Sequence, residues 1–192
     1  MARVAFLIDS GFEDVEFQAP YDALRRAGHE CRVLGLVPGQ RLLGKHGVSR
    51  PHVQDAVDDA DARRFDALVI PGGHSPARLC GCRAPVSLVR RFADYGLPIA
   101  AICTGPHLLA AADAVRGRKL TSWIAARPAL SVAGACWQDA ALVEDGALIT
   151  SRRPGDLPSF IGALERRLAP RASAPGWGVG AAMLRQSRLC TD

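Results

Sequence analysis

The apolar run Ile99-Ala100-Ala101-Ile102 ends on Cys103, and Gly105-Pro106 then opens a second apolar stretch. A strand-length run that passes into a helix within a few residues is a sharp strand-to-helix turn. A thiol at that corner faces backbone N–H groups and the positive end of a helix, which favour the nucleophilic thiolate. The plain alternative for any cysteine is burial as a small hydrophobe. A place at the C-terminal end of a strand in an α/β pattern weighs for the nucleophile.

The rest of the chain supplies that pattern. Residues 3–9 are an apolar run of strand length, and Phe17, Tyr21 and Leu24 recur at helical spacing until Gly28. Residues 30–36 read as a second strand, and 65–70 as a third that ends at Pro71-Gly72-Gly73. Between them, Gly44 and Gly47 mark a loop or hairpin excursion over residues 39–54. Residues 85–95 predict a helix with proline at its first position, and 105–114 another. Residues 141–150 read as two short strands about Asp145-Gly146, and Phe160, Leu164 and Leu168 mark a last helix. Strands alternating with helices predict a mostly parallel sheet covered on both faces, with ligands beyond the strand C-termini. Residues 1–169 are read as one domain; residues 170–192, dominated by Pro, Ala, Ser and Gly, are read as a flexible tail.

A formal charge of +5 comes mostly from scattered arginines. The isolated doublets Arg63-Arg64, Arg90-Arg91, Arg152-Arg153 and Arg166-Arg167 do not form a phosphate track, which argues against a nucleic-acid partner. The first apolar segment, Val4 to Ile8, is too short for a signal core or a membrane span, so the expected compartment is the cytoplasm, with no membrane partner. Cys31, Cys80, Cys82, Cys103, Cys136 and Cys190 are unevenly spaced and are expected to be reduced. Cys80-Gly81-Cys82 lacks a second ligand pair at zinc spacing, and neither a metal nor a cofactor is expected.

A nucleophilic thiol needs a group that handles protons and donors for an oxyanion. Glu13 follows the first strand closely and starts a helix on the same sheet edge, which makes it the leading carboxylate; charge complementarity at a helix start, shared with Asp14 and Glu16, is its plain alternative. The backbone N–H groups of Gly73 and Thr104 are the candidate oxyanion donors, although Gly72-Gly73 also suits a simple tight turn.

These residues resemble the ThiJ/PfpI superfamily of class I glutamine-amidotransferase-like proteins, most closely its PfpI intracellular-protease branch. The matching text, in family order, is Gly11-Phe12-Glu13-Asp14-Val15-Glu16, Gly44-Lys45-His46-Gly47, residues 65–73, Ala101-Ile102-Cys103 with Gly105-Pro106, Arg116-Gly117-Arg118-Lys119 with Thr121-Ser122, and Ser151-Arg152 with Pro154 and Asp156-Leu157. The resemblance implies a flavodoxin-like three-layer α/β sandwich with a nucleophile elbow at Cys103 and Glu13 in reach of it. It also implies assembly as a homodimer or homohexamer. Relatives include peptidases, cofactor-independent glyoxalases, protein deglycases, isocyanide hydratases and stress proteins, so the fold alone does not choose the reaction.

Two departures bear on that choice. The protease-like branch has histidine directly after the cysteine, where this chain has Thr104, and a partner-subunit glutamate that orients that histidine matches Ala77. Threonine is no general base near neutral pH, although its hydroxyl donates hydrogen bonds, to a bound oxyanion for example. His74, after the candidate oxyanion glycine, is the leading substitute for the missing imidazole; His107, one helical turn past Cys103, is the second, and His46 is assigned to structure or an oligomer contact. Trp123 stands where relatives place Tyr or His, and either caps the pocket or packs. The expectation is a cysteine-dependent enzyme acting on small reactive carbonyls or modified protein side chains. The alternatives are a PfpI-type peptidase and a non-enzymatic redox sensor oxidised at Cys103.

Overall fold

Residues 1–169 are described by a computed structural model. Strand β1 (Arg3–Leu7) is continuously apolar from Val4 on, through Ile8 after it, because the sheet is covered on both faces. Ala5 and Leu7 enter one core, while Val4, Phe6 and Ile8 enter another on the opposite side, as the two-residue strand period requires. Strands β2 (Glu30–Gly35), β3 (Asp55–Ala56), β4 (Ala67–Ile70) and β5 (Ile99–Ile102) follow. In β4, Leu68 and Ile70 face the first core, and Ala67 and Val69 the second.

Two-residue strands β6 (Lys119–Leu120) and β7 (Cys136–Trp137) pair with each other as a separate ribbon. With β8 (Leu142–Asp145) and β9 (Leu148–Ser151), the main sheet has seven strands in the order β3-β2-β1-β4-β5-β9-β8. Its neighbours are parallel except β8 and β9, the hairpin about Asp145-Gly146.

Helices α1 (Asp14–Arg26) and α6 (Leu157–Leu168) cover one face through Phe17, Leu24, Phe160 and Leu164. The other face is covered by α2 (Ser75–Cys80), α3 (Arg83–Asp94), α4 (Pro106–Ala111) and α5 (Arg127–Val132), through residues such as Leu79, Leu88, Phe92, Leu108 and Leu130. The result is the expected flavodoxin-like three-layer sandwich.

Some boundaries differ from the sequence reading, each for a local reason. Helix α2 was not anticipated: six residues are too few to display a helical repeat. Helix α3 starts two residues before Pro85, because proline is tolerated throughout the first turn, where N–H groups have no partner inside the helix. Phe65 is not in a strand but closes a 3-10 turn, Ala62–Arg64, in which the Arg63 N–H donates to Asp61 Oδ1 at 3.0 Å. The 39–54 excursion is a hairpin, with Arg41 bridged to His52 and the Leu42 N–H donating to the Pro51 carbonyl at 2.9 Å. The 170–192 segment read as a tail lies outside the described residues. Among the described residues, no helix is long and apolar enough to cross a membrane.

Candidate active site

Three strand ends meet at the elbow. Cys103 leaves β5 with φ of 60°, in the left-handed region that a residue with a Cβ rarely adopts. The surroundings hold it there: its N–H donates to the Ser151 carbonyl at the end of β9 (3.0 Å), and its carbonyl accepts from the Trp123 N–H (2.9 Å). Such a conformation costs on the order of 1–3 kcal/mol and persists only where neighbouring contacts over-determine it.

The loop after β4 forms the second wall. A methyl group added at Gly72 would stand 2.7 Å from both the Cys103 Cβ and Glu16 Oε2, and 3.0 Å from the Thr104 nitrogen, so only glycine permits this approach. Gly73 has φ of +84° and is bridged to Phe12, which turns its N–H toward the thiol. The backbone N–H groups of Thr104 and Gly73 lie on the side of the Cys103 sulfur and work to lower its pKa. The Thr104 hydroxyl is committed elsewhere and donates to the Gly73 carbonyl at 2.8 Å, bracing one donor loop against the other.

The carboxylate beside the thiol is Glu16 rather than Glu13. Glu13 is the residue that precedes α1, and its carboxylate turns outward to Lys45 Nζ (3.3 Å) and His46 Nε2 (3.0 Å) in the hairpin excursion. Glu16 lies one turn into the helix, is fully buried, and accepts from the Gly72 N–H at 2.9 Å. Its carboxyl group is in hydrogen-bonding reach of Cys103, and its other oxygen, Oε1, is buried without a partner among the described residues. A sequence signal for Glu16 was present: with Phe17, Pro20 and Leu24 it forms the buried stripe of α1.

The thiol is also less acidic than the corner position predicts. Burial pushes Cys103 up to about 12, and the Glu16 carboxylate pushes the same way, against the two N–H groups. Burial likewise pushes the Glu16 carboxyl up to about 7, reinforced by the negative charge of Glu13. Two acids in contact therefore compete to keep their protons, and removing one proton from the pair makes removing the second harder.

The histidines are placed away from this pair's hydrogen bonds. His74 is exposed and lies along Gly11, with its backbone N–H donating to the Gly11 carbonyl at 2.7 Å. His107 is half-buried on α4, and burial lowers its basicity. Among the described residues no hydrogen bond or ion pair joins an imidazole to Cys103. Ala77 is an exposed position of α2. Trp123, 42% exposed, lines a depression of about 280 Å³ with Trp137, Asp139, Arg152 and Arg153. Its backbone bond to Cys103 places that depression beside the elbow. No cluster of three or more metal-ligating side chains occurs among the described residues.

Comparison with known proteins agrees with this architecture. The family model described as the DJ-1/PfpI family matches residues 2–166. A protein/nucleic acid deglycase 2 of Escherichia coli is 43% identical over 162 residues, covering 82% of this chain and 92% of that protein. The deglycase PfpI of Pyrococcus furiosus is 40% identical over 159 residues, covering 83% and 95%. A two-domain DJ-1/ThiJ/PfpI-like and ferritin-like protein of Anabaena variabilis superposes with a TM-score of 0.87 at 39% identity, covering 92% of this chain and 50% of that one. The chain thus spans half the length of that two-domain protein and belongs to the DJ-1/PfpI family.

Proposed function

We propose that this member of the DJ-1/PfpI family is a cysteine-dependent enzyme that acts on small reactive carbonyls or on the adducts they leave on protein side chains. The observation that supports the reading is the buried Glu16 carboxyl beside Cys103, both packed so closely against Gly72 that a Cβ there would meet them and the Thr104 nitrogen.

A thiol held near 12 is inert until a base removes its proton, and a carboxylate held near 7 is a competent base at neutral pH. Glu16 takes the S–H proton as the sulfur pair forms a C–S bond to the carbonyl carbon. The C=O π pair moves to oxygen, where the two N–H groups offset the developing charge. Glu16 then returns the proton to that oxygen, giving a hemithioacetal with no net change in protons. Isomerisation or hydrolysis of this adduct corresponds to glyoxalase-like or deglycase-like turnover. The Trp123 depression offers room for the remainder of the substrate. Assembly as a homodimer or homohexamer and a cytoplasmic location are part of the same reading.

Pure parent protein is expected to turn over methylglyoxal, with loss of turnover in Cys103→Ser and Glu16→Gln. Absence of turnover on any dicarbonyl by the parent overturns the proposal. Peptidase action ranks below it, since among the described residues no imidazole is bonded to the thiol. A redox-sensing role draws support from a Glu16 that is half-protonated near pH 7 and able to donate to an oxidised sulfur. Peroxide modification of Cys103 no faster than that of the other cysteines counts against that role.

A further inference from the structure

Helix α2 ends at Cys80, and after Gly81 the chain enters α3 with Cys82 as the residue that precedes its first turn. The Cys82 N–H donates to the Leu79 carbonyl at 3.0 Å and the Gly81 N–H to the Arg78 carbonyl at 3.2 Å, so the two cysteines share one tight corner. Both line a single depression of about 500 Å³ with Arg83, Ser87 and Arg90, and no carboxylate lines it.

The two thiols differ in surroundings. Cys82 stands at the start of a twelve-residue helix with Arg83 next to it, and its S–H donates to the Arg78 carbonyl at 3.7 Å. Cys80 packs against the core between the sheet and α3, where burial keeps its proton on. Gly81 has φ of −75°, and a methyl group there would meet only the Arg78 carbonyl oxygen, at an ordinary 3.5 Å. Nothing in the dithiol form needs glycine at this position. Glycine's wider conformational range does serve a corner that must close a bridge between residues two apart.

We propose that Cys80 and Cys82 form a reversible dithiol–disulfide site oxidised by hydroperoxides, independent of the carbonyl chemistry assigned to Cys103. The Cys82 sulfur attacks the outer oxygen of a hydroperoxide and breaks the O–O bond, its S–H proton passing to the departing oxygen. An alcohol, or water from hydrogen peroxide, leaves, and Cys82 becomes a sulfenic acid. The Cys80 sulfur then attacks the Cys82 sulfur, hydroxide leaves with the Cys80 proton as water, and the S–S bond forms. Sulfur loses two electrons in total and the peroxide gains them.

The test uses the full chain carrying Cys103→Ser, reduced, treated with hydrogen peroxide, blocked with iodoacetamide and digested with trypsin. Cleavage after Arg78 and Arg83 releases the pentapeptide Leu79-Cys80-Gly81-Cys82-Arg83. The expected product is this peptide lacking two hydrogens, unalkylated, and restored by dithiothreitol. A doubly alkylated peptide, added oxygens only, or bridges from either residue to other cysteines overturns the proposal. Adding Cys80→Ser is expected to trap a dimedone adduct at residue 82, whereas Cys82→Ser leaves Cys80 unlabelled at the same dose; the reverse pattern overturns the order of attack. Gly81→Ala, whose methyl has room in the dithiol form, is expected to slow closure several-fold, and an unchanged rate overturns the role given to the glycine.

Discussion

Glu16 is a carboxyl group whose proton the fold keeps on: its value rises from 4.5 to about 7, with burial the largest cause. A raised carboxyl binds more protons folded than unfolded, so its contribution favours the fold fully below pH 4.5 and is lost as pH rises to about 7. Urea unfolding between pH 4.5 and 8 is expected to show the parent losing on the order of 3 kcal/mol relative to Glu16→Gln across that window, and a difference that stays flat contradicts the assignment. Gly72→Ala, which forces a methyl to 2.7 Å from the Cys103 Cβ, is expected to cost about 1–3 kcal/mol and to change the rate at which iodoacetamide alkylates Cys103. An unchanged urea midpoint would show that the loop relaxes freely. The elbow at Cys103 was readable because its strand-to-helix corner is local in sequence, whereas Gly73 was brought into the reading only by the rule that loops at strand C-termini meet. The carboxylate was not read correctly, since proximity to a strand end favoured Glu13. What decides is which side of α1 faces the sheet, and Glu16 shares the side of Phe17 and Leu24.

At the scale of elements, Asp14 fastens the hairpin excursion to α1 through two backbone N–H groups, beside the Ser49 hydroxyl donating to Gln18 Oε1 at 3.2 Å. Asp14 accepts from the His46 N–H at 2.8 Å and the Ser49 N–H at 2.6 Å. Burial works to raise its carboxyl, yet the N–H groups of Ser49, His46 and Val48 hold it below its ordinary 3.8. A depressed carboxyl contributes stability that is present above its unfolded value and lost as pH falls through the folded one. Asp14→Ala is therefore expected to cost roughly 1–3 kcal/mol at pH 7, less under acid conditions, and to raise amide exchange over residues 44–49 first. Exchange that stays protected there would mean the hairpin holds itself. The same loop carries Lys45 and His46 to Glu13, which explains why the Gly44-Lys45-His46-Gly47 text belongs with the site although neither side chain is hydrogen-bonded to the thiol. Helix α2, in contrast, left no periodic trace, because its six residues complete fewer than two turns.

The described residues are organised on one main sheet whose two faces are different cores, and most of this was legible because unbroken apolar strands occur only where both faces are covered. The short pairs β3 and β6–β7 were not, since two-residue strands depend on neighbours rather than on their own pattern. Every central strand lends alternate side chains to both cores, so neither helical layer has a sheet of its own to unfold from. Phe160, fully buried under α6, and Leu88, fully buried under α3, sit on opposite faces. Truncation is expected to cost about 3–5 kcal/mol for Phe160→Ala and about 2–5 kcal/mol for Leu88→Ala. If the shared strands couple the layers, each variant lowers the urea midpoint with an unchanged slope, and fluorescence and circular dichroism report one coincident transition. A split transition in either variant, with the other face still folded, would show that the sheet does not bind its two layers into a single cooperative unit.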